Sequence, residues 1–291
     1  MSEKTRTKSF ERPDQFIETH TKRRLLKVVQ YSVLIGLLIY IAFPVLWMML
    51  SAFKTPSQIF GTPHLIPSNP TLENFSVLLT ETVFPTYLGN SIIVAIGATL
   101  LTTTLATLGG YGLTRSEFRS KKTLARTVLL TYMFPPILLG IPLYIIFYNL
   151  GLLNTPLVLM VAHTAIALPF CLWLMWQYFQ TVPIAYEESA WIYGATRFQT
   201  FRKIVLPMAL PGIIAIAIFA FAVSWNDFTM AVVLMTETSA KTFPVGIKDF
   251  LASQQVNWGI VNAAGFMIIV PPLLLVFFLQ KYIMVGFQIG R

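Results

Sequence analysis

The sequence predicts an all-α membrane protein with six transmembrane helices, and three observations carry that prediction. Of its 291 residues, 55% are hydrophobic and only 11% are charged, where an ordinary soluble domain carries about 25% charged residues. Six apolar runs, approximately 28–50, 89–114, 127–150, 157–180, 208–235 and 259–280, are long enough to span a bilayer, which takes about 20 residues for a hydrocarbon core of roughly 30 Å. Third, eighteen of the twenty-one Lys and Arg residues fall before the first run, between the second and third, between the fourth and fifth, and after the sixth. Basic residues mark the cytoplasmic side, so both termini and the connection between helices 4 and 5 are expected there. The same distribution accounts for the net charge of +9 and leaves no case for nucleic-acid binding. Membrane lipids are the surroundings this composition demands.

Taken in order, residues 1–27 read as a cytoplasmic N-terminal segment and 28–291 as a single six-helix domain. Residues 1–9 are polar and expected to be disordered. The basic stretch 14–27 reads first as a topogenic anchor and second as a short interfacial helix. The first apolar run is too long for a signal-peptide core and is expected to remain as a membrane helix. The connection after it is proline-rich, and then Leu72, Phe75, Leu78 and Leu79 share one helical face, predicting a short amphipathic helix at the outer surface. Prolines recur inside the spans (Pro44, Pro135, Pro136, Pro142, Pro169, Pro271, Pro272). Neighbouring helices and polar side chains must satisfy the carbonyls they free. Kinks of this kind suit a bundle that opens on either side, although ordinary helix geometry explains them equally well. Gly109, Gly110 and Gly112 predict a close helix approach. Cys171 is the single cysteine and lies inside an apolar run, so there is no disulfide framework.

Between the fourth and fifth runs lies the one long, charged, helix-forming connection, beginning at Pro183. Pro183 suits a first helical turn, and Gly194 can adopt φ > 0 and stop that helix. Thr196 and Gln199 have capping-box spacing, so a second helix is expected to start at once. Leu206-Pro207 is expected to end it. The local reading is a helix–turn–helix elbow at the cytoplasmic membrane surface.

Glu188-Ser189-Ala190, three residues, Gly194, nine residues, then Ile204 and Leu206-Pro207 resembles the cytoplasmic docking motif of ABC importer permeases. Ser189 departs from the family's alanine and Tyr193 from its frequent aspartate, while the glycine-to-Leu-Pro spacing is intact. Asn90-Ser91, Leu152-Leu153-Asn154-Thr155, Leu168-Pro169-Phe170 and Trp225-Asn226-Asp227 are similar to the carbohydrate-uptake branch, which includes the maltose-transporter permease lacking a large periplasmic insertion. The resemblance runs from the first span to the end of the chain. It implies a sugar or oligosaccharide permease of a prokaryotic cytoplasmic membrane, working by alternating access. The implied partners are a second homologous permease, two ATPase subunits that hold ATP and Mg, and an extracytoplasmic solute-binding protein. It also assigns Glu187, Glu188, Ser189, Ala190, Tyr193, Gly194, Ala195, Ile204, Leu206 and Pro207 to the ATPase-coupling elbow. Another polar solute, such as a glycerol-phosphate ester, is the runner-up substrate.

The chain itself offers little to an enzyme. It has no Gly-x-x-x-x-Gly-Lys-Ser/Thr phosphate loop, and Glu187 and Glu188 read as neighbours on an exposed helix, not as carboxylates facing across a cleft. No cofactor is expected in it. His163 has no Cys, His or Glu at metal-ligand spacing, which leaves helix-contact or pore-lining roles. Asp227 follows Pro211 by sixteen residues, about 24 Å along a helix, and an intramembrane acid is expected to face the bundle interior or a wet path. His163, Trp225, Asn226 and Asp227 are therefore candidate solute-path residues, with an interhelical clamp or helix-end charge as the equal alternative for Asp227. A secondary transporter would place coupling acids near the midplane in repeated halves, and neither feature is present.

Overall fold

The computed structural model describes residues 13–62, 64–252 and 256–288, the side chains of 13–25 and 280–288 excepted. The expected disorder of residues 1–9 lies outside the described residues. Regular structure among the described residues is entirely helical: α1 (Pro13–Ser51), α2 (Pro56–Phe60), α3 (Glu73–Thr80), α4 (Phe84–Arg115), α5 (Lys121–Thr131), α6 (Pro136–Asn149), α7 (Pro156–Thr181), α8 (Ala185–Ile192), α9 (Arg197–Thr200), a π-helical turn (Phe201–Val205), α10 (Leu206–Trp225), α11 (Thr229–Leu234), a 3₁₀ turn (Thr238–Ala240), α12 (Phe243–Leu251) and α13 (Trp258–Gln288).

Five of the six expected spans are long apolar helices, at Leu26–Ser51, Phe84–Arg115, Pro156–Thr181, Arg197–Trp225 and Trp258–Leu279. The third is not one straight helix. It is α5 followed by α6, meeting at 90°. The break falls where Pro135 and Pro136 both lack an N–H, and a residue before proline is pushed out of the α region. The backbone of Pro135 is accordingly extended (φ −59°, ψ 125°) before α6 begins. The fifth span is displaced relative to the run 208–235: it begins earlier, at Arg197, and ends earlier, since α10 stops at Trp225 and a separate α11 begins at Thr229. Residues 14–27 continue into the first span as a single helix. The short outer helix is present as α3, with Leu78 buried and Leu72 left exposed.

The core is built where α4, α7 and α10 meet, α4 and α7 sharing the largest interface. Apolar contacts in a bilayer gain nothing from leaving water, so close approach and van der Waals fit must hold helices together. Gly110 provides it: a Cβ there would lie 2.8 Å from Cβ of Met175 and 2.9 Å from the backbone N of Trp176. Gly109 faces Leu172 in the same way, whereas Gly112 looks into open space. Around this seam Ala106, Cys171, Met175, Phe179, Val205 and Ile216 form a buried cluster. By contrast α1 stands largely apart, its apolar side chains from Val28 to Leu46 exposed.

The prolines of the last span have a visible consequence. Pro272 cannot donate to the carbonyl of Ile268, four residues before it. The indole Nε1 of Trp225 donates to that oxygen at 3.2 Å. Trp225 thereby ties α10 to α13, its ring stacked on Phe221 and tilted against Phe243.

Candidate functional site

The elbow is α8, a turn, and α9 with its π-helical extension. Pro183 sits just ahead of the helix, whose N-cap is Ile184. The C-terminus of α8 closes as a Schellman motif: the N–H of Gly194 donates to Trp191 O (2.9 Å) and that of Ala195 to Ala190 O (3.0 Å). Gly194 has φ +84°, the left-handed region that glycine alone enters cheaply. The capping box follows, Gln199 N donating to Thr196 Oγ1 (3.3 Å) and Thr196 N to Gln199 Oε1 (2.9 Å). Leu206-Pro207 does not end this second limb. The chain passes through the π-turn, which includes Ile204, straight into α10. Pro207 lies inside this continuous run, where its ring and missing N–H cannot fit the regular i→i−4 ladder, and the widened turn just before it absorbs the mismatch. The second limb is thus continuous with the fifth span.

The paired acids differ sharply. Glu188 is exposed together with Ser189 and Tyr193, but Glu187, expected to be exposed as well, is fully buried. Its Oε1 lies 2.6 Å from Nε of Arg115, and its Oε2 accepts the hydroxyl of Tyr111 at 2.7 Å. Burial of a carboxylate is tolerable only with such partners. Arg115 and Tyr111 stand 72 and 76 residues away in sequence, beyond the reach of any local pattern. Around the buried anchor the elbow turns an apolar surface outward: Tyr186 is 54% exposed, Ile192 84%, Tyr193 92% and Phe198 69%.

On the opposite end of the bundle, the break in the fifth span is organised by Asp227. Its Oδ2 accepts the backbone N–H groups of Met230 (3.0 Å) and Ala231 (3.1 Å), capping the first turn of α11. The same oxygen lies 3.1 Å from Nε2 of His163, within ion-pair distance. Nδ1 of His163 and Oγ of Ser224 share a bond of 2.7 Å. His163 and Asp227 come together as a clamp between α7 and the end of α10. Trp225 is 1% exposed and presents no surface to a solute. Asn226 is exposed and donates to Ala222 O (2.8 Å).

Three residues quoted above for their sequence pattern hold the neighbouring connection. Asn90 Nδ2 donates to the carbonyls of Ser239 (2.8 Å) and Lys241 (3.0 Å), and Ser91 Oγ accepts Phe243 N (2.8 Å). Asn154, at φ +62°, accepts on Oδ1 from the N–H groups of Thr236 (2.7 Å) and Glu237 (3.1 Å) and from Thr236 Oγ1 (3.2 Å). Among the described residues no group of His, Cys, Asp and Glu could hold a metal ion.

Residues 106–284 match the family model described as "Binding-protein-dependent transport system inner membrane component". The chain is 34% identical over 283 residues to the probable ABC transporter permease protein YurM of Bacillus subtilis, covering 96% of this chain and 94% of the relative. It is 35% identical over 251 residues to the trehalose/maltose transport system permease protein MalG of Thermococcus litoralis, covering 85% and 90%. In fold it is similar to a chain from the crystal structure of a bacterial ABC transporter that imports the acidic polysaccharide alginate. The TM-score is 0.79 at 20% identity, over 90% of this chain and 97% of the other.

Proposed function

Since the chain belongs to the family of binding-protein-dependent transport system inner membrane components, we propose that it is the permease subunit of an ABC importer that carries a sugar or oligosaccharide into a prokaryotic cell. It works with a second homologous permease, two ATPase subunits that bind ATP and Mg, and an extracytoplasmic binding protein. The observation that carries the sugar assignment is the 35% identity to a trehalose/maltose permease over nearly the full length of both chains.

The elbow is the ATPase-facing element of this reading. Its exposed Tyr186, Ile192, Tyr193 and Phe198 form an apolar surface of the kind that marks a docking site, with the carboxylate of Glu188 exposed beside it for a basic group in the ATPase cleft. Closure of the ATPase dimer on ATP displaces the elbow. Because its second limb runs unbroken into α10, that displacement reaches the fifth span directly and swings the bundle between inward- and outward-facing forms. Asn226, exposed at the break, is the member of the Trp225-Asn226-Asp227 group left to touch solute, and His163, Trp225 and Asp227 hold the wall behind it. Both termini and the elbow lie in the cytoplasm.

Two experiments test the proposal. A thermal-shift screen of the cognate binding protein, followed by uptake into proteoliposomes holding the full complex, is expected to select a neutral sugar. A clear preference for a phosphate ester or an amino acid over every sugar refutes that substrate class. In intact cells, Ser68→Cys is expected to react with impermeant thiol reagents from outside and Ser120→Cys is not. Reaction at both positions, or at neither, refutes the orientation.

A further inference from the structure

We infer that Tyr111 and Arg115, one turn apart at the end of α4, are positioning residues that lock both limbs of the elbow to the second span, with the buried Glu187 as the bolt. The inference rests on the elbow's proposed role and adds a joint to it. Arg115 engages Oε1 of Glu187 on α8 through Nε (2.6 Å), and donates through Nη2 to the carbonyl of Val182 at the end of α7 (3.0 Å). Tyr111 donates to the other carboxylate oxygen of Glu187 (2.7 Å). The same tyrosine ring lies 4.7 Å, centroid to centroid, from Phe201 in the π-turn and 5.7 Å from Phe179 on α7. Two side chains on α4 therefore touch α7, α8 and the π-turn together.

A Schellman turn alone leaves α8 hinged on its neighbours. The buried charge pair opposes that freedom, because swinging α8 away from α4 separates the carboxylate of Glu187 from both Arg115 and Tyr111. The elbow and the inner half of α4 thus move as one body. A push on Glu188, exposed on the same short helix, is delivered to the second span as well as to the fifth.

The test is a distance measurement in the assembled complex, with spin labels at Leu100 on α4 and Ala185 at the start of α8, both exposed and neither part of the proposed docking surface. Cys171 is buried and does not compete for the label. The wild-type contact predicts a single narrow distance that is the same in the nucleotide-free and vanadate-trapped states. Glu187→Gln is expected to broaden it, and Glu187→Arg combined with Arg115→Glu to narrow it again relative to Arg115→Glu alone. Where Glu187→Gln fails to assemble, Tyr111→Phe, which removes one hydroxyl and keeps the ring, is expected to broaden the trapped-state distance. A wild-type distance that shifts on trapping, or an unchanged narrow distance in every variant that assembles, overturns the inference. Glu188→Lys separates this from the underlying reading: it is expected to weaken ATPase-subunit binding by about thirtyfold or more while leaving the distance narrow. If Glu188→Lys binds the ATPase like wild type and Glu187→Gln still broadens the distance, the docking role fails and the lock stands.

Discussion

Gly194 offers the cleanest test of how the elbow is built, because conformation and steric crowding separate there. Its φ of +84° is in the left-handed region, yet a Cβ added to it would meet nothing within 4 Å. The cost of a substitution is therefore backbone strain, not a clash. For an alanine that strain is about 1–2 kcal/mol, enough to raise the population of an opened turn about 5- to 30-fold. Valine costs more, since β-branched residues are the least tolerant of positive φ. Asparagine, though larger than alanine, visits this region more readily and is expected to cost less. The order of severity is then Asn, Ala, Val, which does not follow side-chain size. Hydrogen exchange across residues 190–200 reads it through the amide of Ala195, whose bond to Ala190 O closes the turn. Exchange should accelerate in that order, and uptake should fall in the same order. Faster exchange in Gly194→Asn than in Gly194→Ala refutes the conformational argument, and unchanged exchange in Gly194→Val refutes the turn's role altogether.

Three further outcomes are expected. Trp225→Phe keeps the stack on Phe221 but strands the Ile268 carbonyl, costing about 1 kcal/mol in the thermal stability of the complex; in a Pro272→Ala background, where the helix regains its own N–H, the loss should largely vanish, and an equal loss in both backgrounds would falsify the rescue by the indole. Asn154→Gly preserves the positive φ while deleting three acceptor contacts to Thr236 and Glu237, so exchange at 236–237 should rise, and Asn154→Ala, which adds strain, should raise it further; equal protection in all three proteins counts against the anchor. Glu188→Lys should impair sugar-stimulated ATPase and uptake much more than Glu188→Gln, because it adds repulsion to a lost attraction, with subunit levels checked by blotting; comparable effects of the two would remove the charge from the docking account.

What the amino-acid sequence determined alone is whatever depends on near neighbours or on bulk composition. The apolar runs had to become membrane helices because only an internally bonded backbone survives in hydrocarbon. Gly194 and the Thr196/Gln199 box mark their turn because both work within six residues of chain. The tertiary structure decided the rest. Pro135-Pro136 is visible in the sequence as a kink, but the 90° between α5 and α6 depends on what each helix packs against. Trp225-Asn226-Asp227 is visible as polar groups in an apolar run. That Trp225 caps a carbonyl freed by Pro272, and that Asp227 lies beside His163, required partners from other helices. Glu187 shows the difference most plainly. Next to Glu188 it reads as the second of two exposed acids, yet a helix points adjacent side chains about 100° apart, and the fold places Arg115 and Tyr111 on the side where Glu187 alone can reach them.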